Sequence, residues 1–208
     1  MCVSHFRFFK SLAAIMVCAS PLMCCATASS QTAKLKLLVA ADGFPNGHDT
    51  PEGVACDVMR ALINRDEKLF LATAIKPFSL GAAGVEYSKF LQDTVKNIRT
   101  EAVKKVPSSG GPKQIEKLFA ARHLGRNGPA SYGYAAFGFQ DVMFVDVGIL
   151  LYDGERGMNR TLVIKDKDGK WYADPDPEAS PLLADGLDLE KPSTQDFSEV
   201  YTVERPKR

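Results

Sequence analysis

Residues 131–174, SYGYAAFGFQDVMFVDVGILLYDGERGMNRTLVIKDKDGKWYAD, carry the pattern from which the architecture is read. From Phe139 to Leu151 the odd positions are Phe139, Asp141, Met143, Val145, Val147, Ile149 and Leu151. The even positions mix Val142, Phe144, Asp146 and Gly148. Side chains alternate faces along a strand, so the odd face is packed and the even face is partly wet. Turn chemistry over 152–157 leads to a second strand, Arg160 to Lys165. Asp168-Gly169 closes a hairpin, because glycine tolerates the positive φ such turns need. Trp171 and Tyr172 begin the return strand, and Asp174-Pro175-Asp176-Pro177 ends it, since proline has no N–H for a ladder. Tyr132 to Phe139 supplies a fourth strand, loosened by Gly133 and Gly138.

The 208 residues suffice for one domain. Residues 1–28 read as a secretory signal: Arg7 and Lys10, a short apolar run from Ser11 to Ala19, then Ala26-Thr27-Ala28. The run is well short of the ~20 residues that span a bilayer. No transmembrane segment is expected once the signal is removed. The chain is expected to be exported, periplasmic or secreted, with a lipid anchor at Cys25 as the alternative to cleavage after Ala28. Signal removal takes the formal charge from +1 to −1, so net charge gives no reason to expect nucleic-acid binding. It also leaves Cys56 as the one thiol, so stability rests on a core.

Residues 29–48 read as a linker with a short extended piece. The domain itself spans 49–174. Its first helix starts where Asp49 or Thr50 can cap, with Pro51 at the first helical position and Glu52 facing the positive helix end. Val54, Val58 and Leu62 form an amphipathic row, with Cys56 at its margin. Without an activating base nearby, Cys56 is a small hydrophobe rather than a nucleophile. Asp66 caps a second helix carrying Leu69, Phe70, Ala74 and Ile75, stopped by Pro77. A third helix runs from about Val85 to Val106 on Tyr87, Leu91, Val95 and Ile98. A fourth carries Ile115, Leu118, Phe119 and Leu124, ended by Gly125. Together these predict an α+β fold, with N-terminal helices packed on one face of a curved antiparallel sheet of about four strands.

Two segments, TPEGVACDVMRALINRDEKLF (50–70) and FVDVGILLYD…TLVIKDKDGKWYADP (144–175), resemble nuclear transport factor 2-like domains, the cystatin-like α+β cone. The resemblance covers about half the mature chain and rests on a helix pattern and a hairpin ending. That family usually places a β-hairpin after the second helix, where residues 78–106 here read as loop and helix. The resemblance implies either a non-catalytic pocket or adaptor domain, or an isomerase or dehydratase with Asp, His or Tyr projecting into the cone.

The candidates for such chemistry are Asp146, His123 and Asp141, with Tyr87, Tyr132 and Tyr134 as ligand-stacking residues. Alternation puts Asp146 on the mixed face, towards solvent. Buried in an apolar cone it would instead titrate high and serve as a base. His123 follows Arg122 at a helix C-terminus, where a cation suits the helix dipole. His48 and Asp49 lack further ligands at metal-binding spacing, and Asp166-x-Asp168-Gly169 lacks the distal acids of a calcium loop. No motif requires a cofactor or metal.

Charge is segregated. Residues 96–126 hold Lys96, Arg99, Lys104, Lys105, Lys113, Lys117, Arg122 and Arg126 against Glu101 and Glu116, while residues 174–199 hold eight acids against Lys191. Residues 175–208 therefore read as an acidic, disordered tail that folds back over a basic helical surface and competes with an anionic partner. The leading functional expectation is an exported, non-enzymatic domain binding a small apolar ligand or a protein. The alternatives are a cone-pocket isomerase or dehydratase with an Asp or Tyr base, and an interaction domain using the basic surface.

Overall fold

The computed structural model describes residues 34–104, 106–123, 137–174 and 194–204. The expected signal (1–28), Lys105, Arg126, the tyrosines Tyr132 and Tyr134, and the tail over 175–193 lie outside the described residues. The elements run β1 (Leu35–Leu38), α1 (Pro51–Asn64), α2 (Glu67–Thr73), α3 (Gly84–Ala102), β2 (Pro112–Leu118), β3 (Asp141–Leu151), β4 (Arg156–Lys165), β5 (Trp171–Asp174), α4 (Phe197–Val200) and β6 (Tyr201–Glu204). A 3₁₀ segment, Pro77–Ala83, broken at Gly81, joins α2 to α3. The architecture is α+β. An antiparallel sheet in the order β2-β3-β4-β5 stays open, and helices pack against it.

The helix starts follow from their caps. Thr50 accepts from the Gly53 amide at 3.1 Å, with Pro51 next in the chain, and Asp66 accepts from the Leu69 amide at 3.0 Å. Arg65, at φ 55°, ends α1 in the left-handed region. α1 touches all four strands of the sheet and is covered far beyond one stripe, with Pro51 to Met59 all buried. Cys56 is therefore fully enclosed rather than marginal, and burial pushes its thiol pKa up, which leaves it inert as a nucleophile. The covering loop comes so close at Gly53 that an added Cβ would stand 2.6 Å from the Gly47 carbonyl oxygen. Gly53→Ala is expected to cost about 1–3 kcal/mol of stability, although alanine favours helix. An unchanged thermal midpoint would show that the loop does not rest on α1.

β3 bears out the strand reading, with Val145 and Val147 fully buried and Met143 packed against the core. The even face differs from expectation: Val142, Phe144 and Asp146 are buried as deeply. Val142 stands opposite Ile164 and Phe144 opposite Leu162, so that face is apolar across two strands though mixed along one. β4 begins earlier than expected, at Arg156, and Gly169 closes the last hairpin at φ 79°.

Two expected elements are corrected. Residues 112–118 form the strand β2, not a fourth helix. Pairing shifts between Pro112 and Gln114 and between Ile115 and Lys117 leave Lys113 and Glu116 as extra residues. Each bulge stretches the face repeat, so Pro112, Ile115 and Leu118 turn inward at intervals of three and imitate a helical period. β2 is also the fourth strand of the sheet, the place expected for 132–139. Of that segment, residues 137–139 form no strand, and 132–136 lie outside the described residues. α3 ends at Ala102, four residues early, and Val103 and Val106 are exposed.

The first and last of these strands meet. Where a linker and a tail are expected, β1 pairs in parallel with β6, and Phe197 of α4 is buried in the core. Residues 195–196 run beside Phe119 and Ala120, with the Ala120 amide donating to the Gln195 carbonyl at 3.0 Å. Asp196 reaches Lys117 at 3.8 Å.

Candidate functional site

α2 is short and crosses α3 with little mutual contact, which leaves a cleft between them. Glu67, Leu71 and Ile75 recur every four residues on the α2 side. Ser88, Leu91, Gln92, Val95 and Arg99 form the facing row of α3 at helical spacing. The cleft encloses about 550 Å³ and is completed by Lys76 and Pro77. That volume lies within the range of about 300–1,000 Å³ usual for small-molecule sites. Ile75, Leu91 and Val95 form a buried floor, while Leu71 is 38% exposed on the wall.

Polar groups sit at the two ends. Arg99 donates to both carboxylate oxygens of Glu67, Nε to Oε2 and Nη2 to Oε1, each at 2.6 Å. The guanidinium holds the Glu67 carboxyl below its usual range and closes that end. Lys76 is exposed at the other end, beside Pro77 and near Ser88.

The residues singled out from sequence lie elsewhere. Asp146 is 1% exposed, not solvent-facing. Arg160 grips it with Nε to Oδ1 at 2.6 Å and Nη2 to Oδ2 at 3.1 Å, and Arg122 Nη2 stands 3.5 Å from Oδ2. Sequence places Asp146 in a strand but cannot supply its partners, which come from β4 and from the segment after β2. His123 is not at a helix end, because the segment before it is non-helical and its neighbour Arg122 bridges to Phe144. It donates from Nε2 to Asp141 Oδ1 at 2.9 Å, so two candidates meet. Tyr87 is buried, and its hydroxyl donates to the Ala173 carbonyl at 3.2 Å. Burial, with Asp174 beside it, pushes the Tyr87 phenol pKa well above 10. Tyr132 and Tyr134 lie outside the described residues.

The basic surface is divided rather than helical: Lys96 and Arg99 lie on α3, Lys113 and Lys117 on the strand β2. Lys104 pairs with Glu101, and Lys117 also lies 4.7 Å over the Phe119 ring. Among the described residues no group of three or more His, Cys, Asp or Glu side chains could hold a metal. None of the described helices is long and apolar enough to cross a membrane.

Glu52 was legible only as a helix-end acid. Its carboxylate is 1% exposed, accepting from the Ala121 amide at 2.8 Å and the Tyr201 hydroxyl at 3.2 Å. Burial raises its pKa above the ordinary 4.5 despite those bonds. The folded chain thus keeps a proton that the unfolded chain releases, so stability falls as pH rises from 4.5 through the folded value. Glu52→Gln can keep both hydrogen bonds without the buried charge. Its thermal midpoint is expected to exceed that of the parent at pH 7, and the gap to close below pH 4.5. A constant gap across that window would contradict this.

No protein-family model and no curated protein sequence matches the chain. Among solved structures, a Campylobacter jejuni protein described as a "Putative NTF2-like transpeptidase" is similar at 18% identity and a TM-score of 0.40. The match covers 60% of this chain and 96% of that one.

Proposed function

We propose that the chain is an exported, non-enzymatic binding domain that takes a small apolar ligand into the cleft between α2 and α3. The observation that carries this reading is the cleft itself: an apolar floor and wall of ligand size, with polar groups confined to the ends and rim. Enzyme chemistry needs a base convergent on such a space. The carboxylate at this cleft, Glu67, is tied to Arg99. Asp146, His123 and Tyr87 each engage a partner elsewhere. Export is supported by the charged, apolar and small-residue sequence of residues 1–28. Membership of the nuclear transport factor 2-like superfamily is supported by the two sequence segments and by helices laid on an antiparallel sheet.

The test is titration with N-phenyl-1-naphthylamine, a neutral apolar fluorophore. Leu71→Lys places a charge on a partly exposed wall and is expected to weaken binding about tenfold or more, since burying an unpaired charge is costly. Met158→Lys, on the half-exposed face of β4, is expected to leave binding unchanged. Equal affinities in the parent and Leu71→Lys would overturn the reading.

A further inference from the structure

We infer that the cleft selects a single-chain amphiphile with an anionic head, seated with the head at Lys76 and the chain running towards the Glu67–Arg99 pair. This rests on the proposed binding role of the cleft and names its ligand class. The shape argues for an elongated ligand. The α3 row from Ser88 to Arg99 covers three turns, about 16 Å at 1.5 Å per residue. Leu91 and Val95 lie along its middle, with Leu71 and Ile75 opposite. A compact ring system would leave one end of that trough empty.

Charge sets the direction. The cleft is lined by two cations, Lys76 and Arg99, and one anion, Glu67. Arg99 and Glu67 satisfy each other through two parallel hydrogen bonds, so that end offers a neutralised stop. A cationic head would find its carboxylate already taken. An anionic head at that end would meet Glu67. At the opposite end Lys76 has no side-chain hydrogen bond or ion pair among the described residues. Ser88 and Gln92 add neutral donors on the same side of the trough. An exposed ammonium pair is worth little in absolute affinity but decides between heads on equal chains.

The experiment is displacement of N-phenyl-1-naphthylamine from the full chain by laurate, dodecyl phosphate, dodecanol and dodecyltrimethylammonium, each below its micellar concentration. Laurate and dodecyl phosphate are expected to displace the probe about three- to fivefold better than dodecanol, with the ammonium weakest. Lys76→Glu, titrated afresh with the probe, is expected to invert that order. Equal displacement by all four compounds, or an order that survives Lys76→Glu, would overturn the inference while the cleft still binds the probe. Failure of the parent to bind the probe would overturn both.

Discussion

Arg160→Met is expected to destabilise the protein by about 3–5 kcal/mol, because it takes two charge-assisted hydrogen bonds from a carboxylate buried inside the sheet. Asp146 is 1% exposed, and Arg160 supplies two short contacts to it, at 2.6 and 3.1 Å. Arg122 also approaches it, but at 3.5 Å it is a longer and less directed partner. For a domain of this size the loss corresponds to a fall of about 6–20 °C in thermal midpoint. The double variant Asp146→Leu with Arg160→Met removes both charges and is expected to recover most of the loss. A single variant within about 1 kcal/mol of the parent would show that the carboxylate reaches water.

Arg60→Ala is expected to cost about 3 kcal/mol and to release the loop over residues 40–47. The guanidinium makes five hydrogen bonds: to both Asp42 oxygens at 2.7 and 2.8 Å, to Asp57 at 2.7 Å, and to the Phe44 and Pro45 carbonyls at 2.9 and 2.7 Å. Asp57 in turn accepts from the Gly47 amide at 2.7 Å. One planar fork thus pins the loop that covers Gly53. Arg60→Lys is expected to rescue little, because an ammonium cannot span those acceptors. Faster amide exchange confined to residues 40–47 would accompany the loss. The clasp also weakens in acid. Burial alone would raise the Asp42 carboxyl pKa, but the Arg60 guanidinium and the Phe44 amide outweigh it and hold it below 3.8. That stabilisation is present above 3.8 and fades as pH falls through the lower folded value.

The parts of the fold readable in sequence are those whose signals are local. Thr50, Pro51 and Asp66 mark helix starts because a cap acts within one turn. Gly169 marks a hairpin because positive φ is a property of one residue. Phe139–Leu151 reads as a strand because alternation needs no partner. β2 is not readable in this way, because two bulges give it a three-residue repeat that sequence attributes to a helix. The β1–β6 pair joins residues 35–38 to 201–204, and nothing local in either stretch names the other.

The same limit governs the site. Leu91, Val95 and Ile75 stand out as apolar helix residues, but a cleft exists only in the register between two helices. Leu71 is the one visible clue. It lies off the row formed by Phe70, Thr73 and Ala74, which are buried, so an apolar side chain is left partly in water. Asp146 is legible as an acid in a strand, whereas its burial depends on an arginine across the hairpin. His123 and Asp141 are both visible, yet their meeting follows from the bridge between Arg122 and Phe144 rather than from spacing.

The trough between α2 and α3 is proposed to hold an acyl chain. The most direct measurement is the nuclear magnetic resonance spectrum of methyl-labelled protein with a nitroxide-bearing stearate added. Broadening centred on the methyl groups of Leu71, Ile75, Leu91 and Val95 is the predicted result. Broadening centred instead on Ile115, Ile149 and Met158, which line a second groove on the sheet, or none at all, would contradict it.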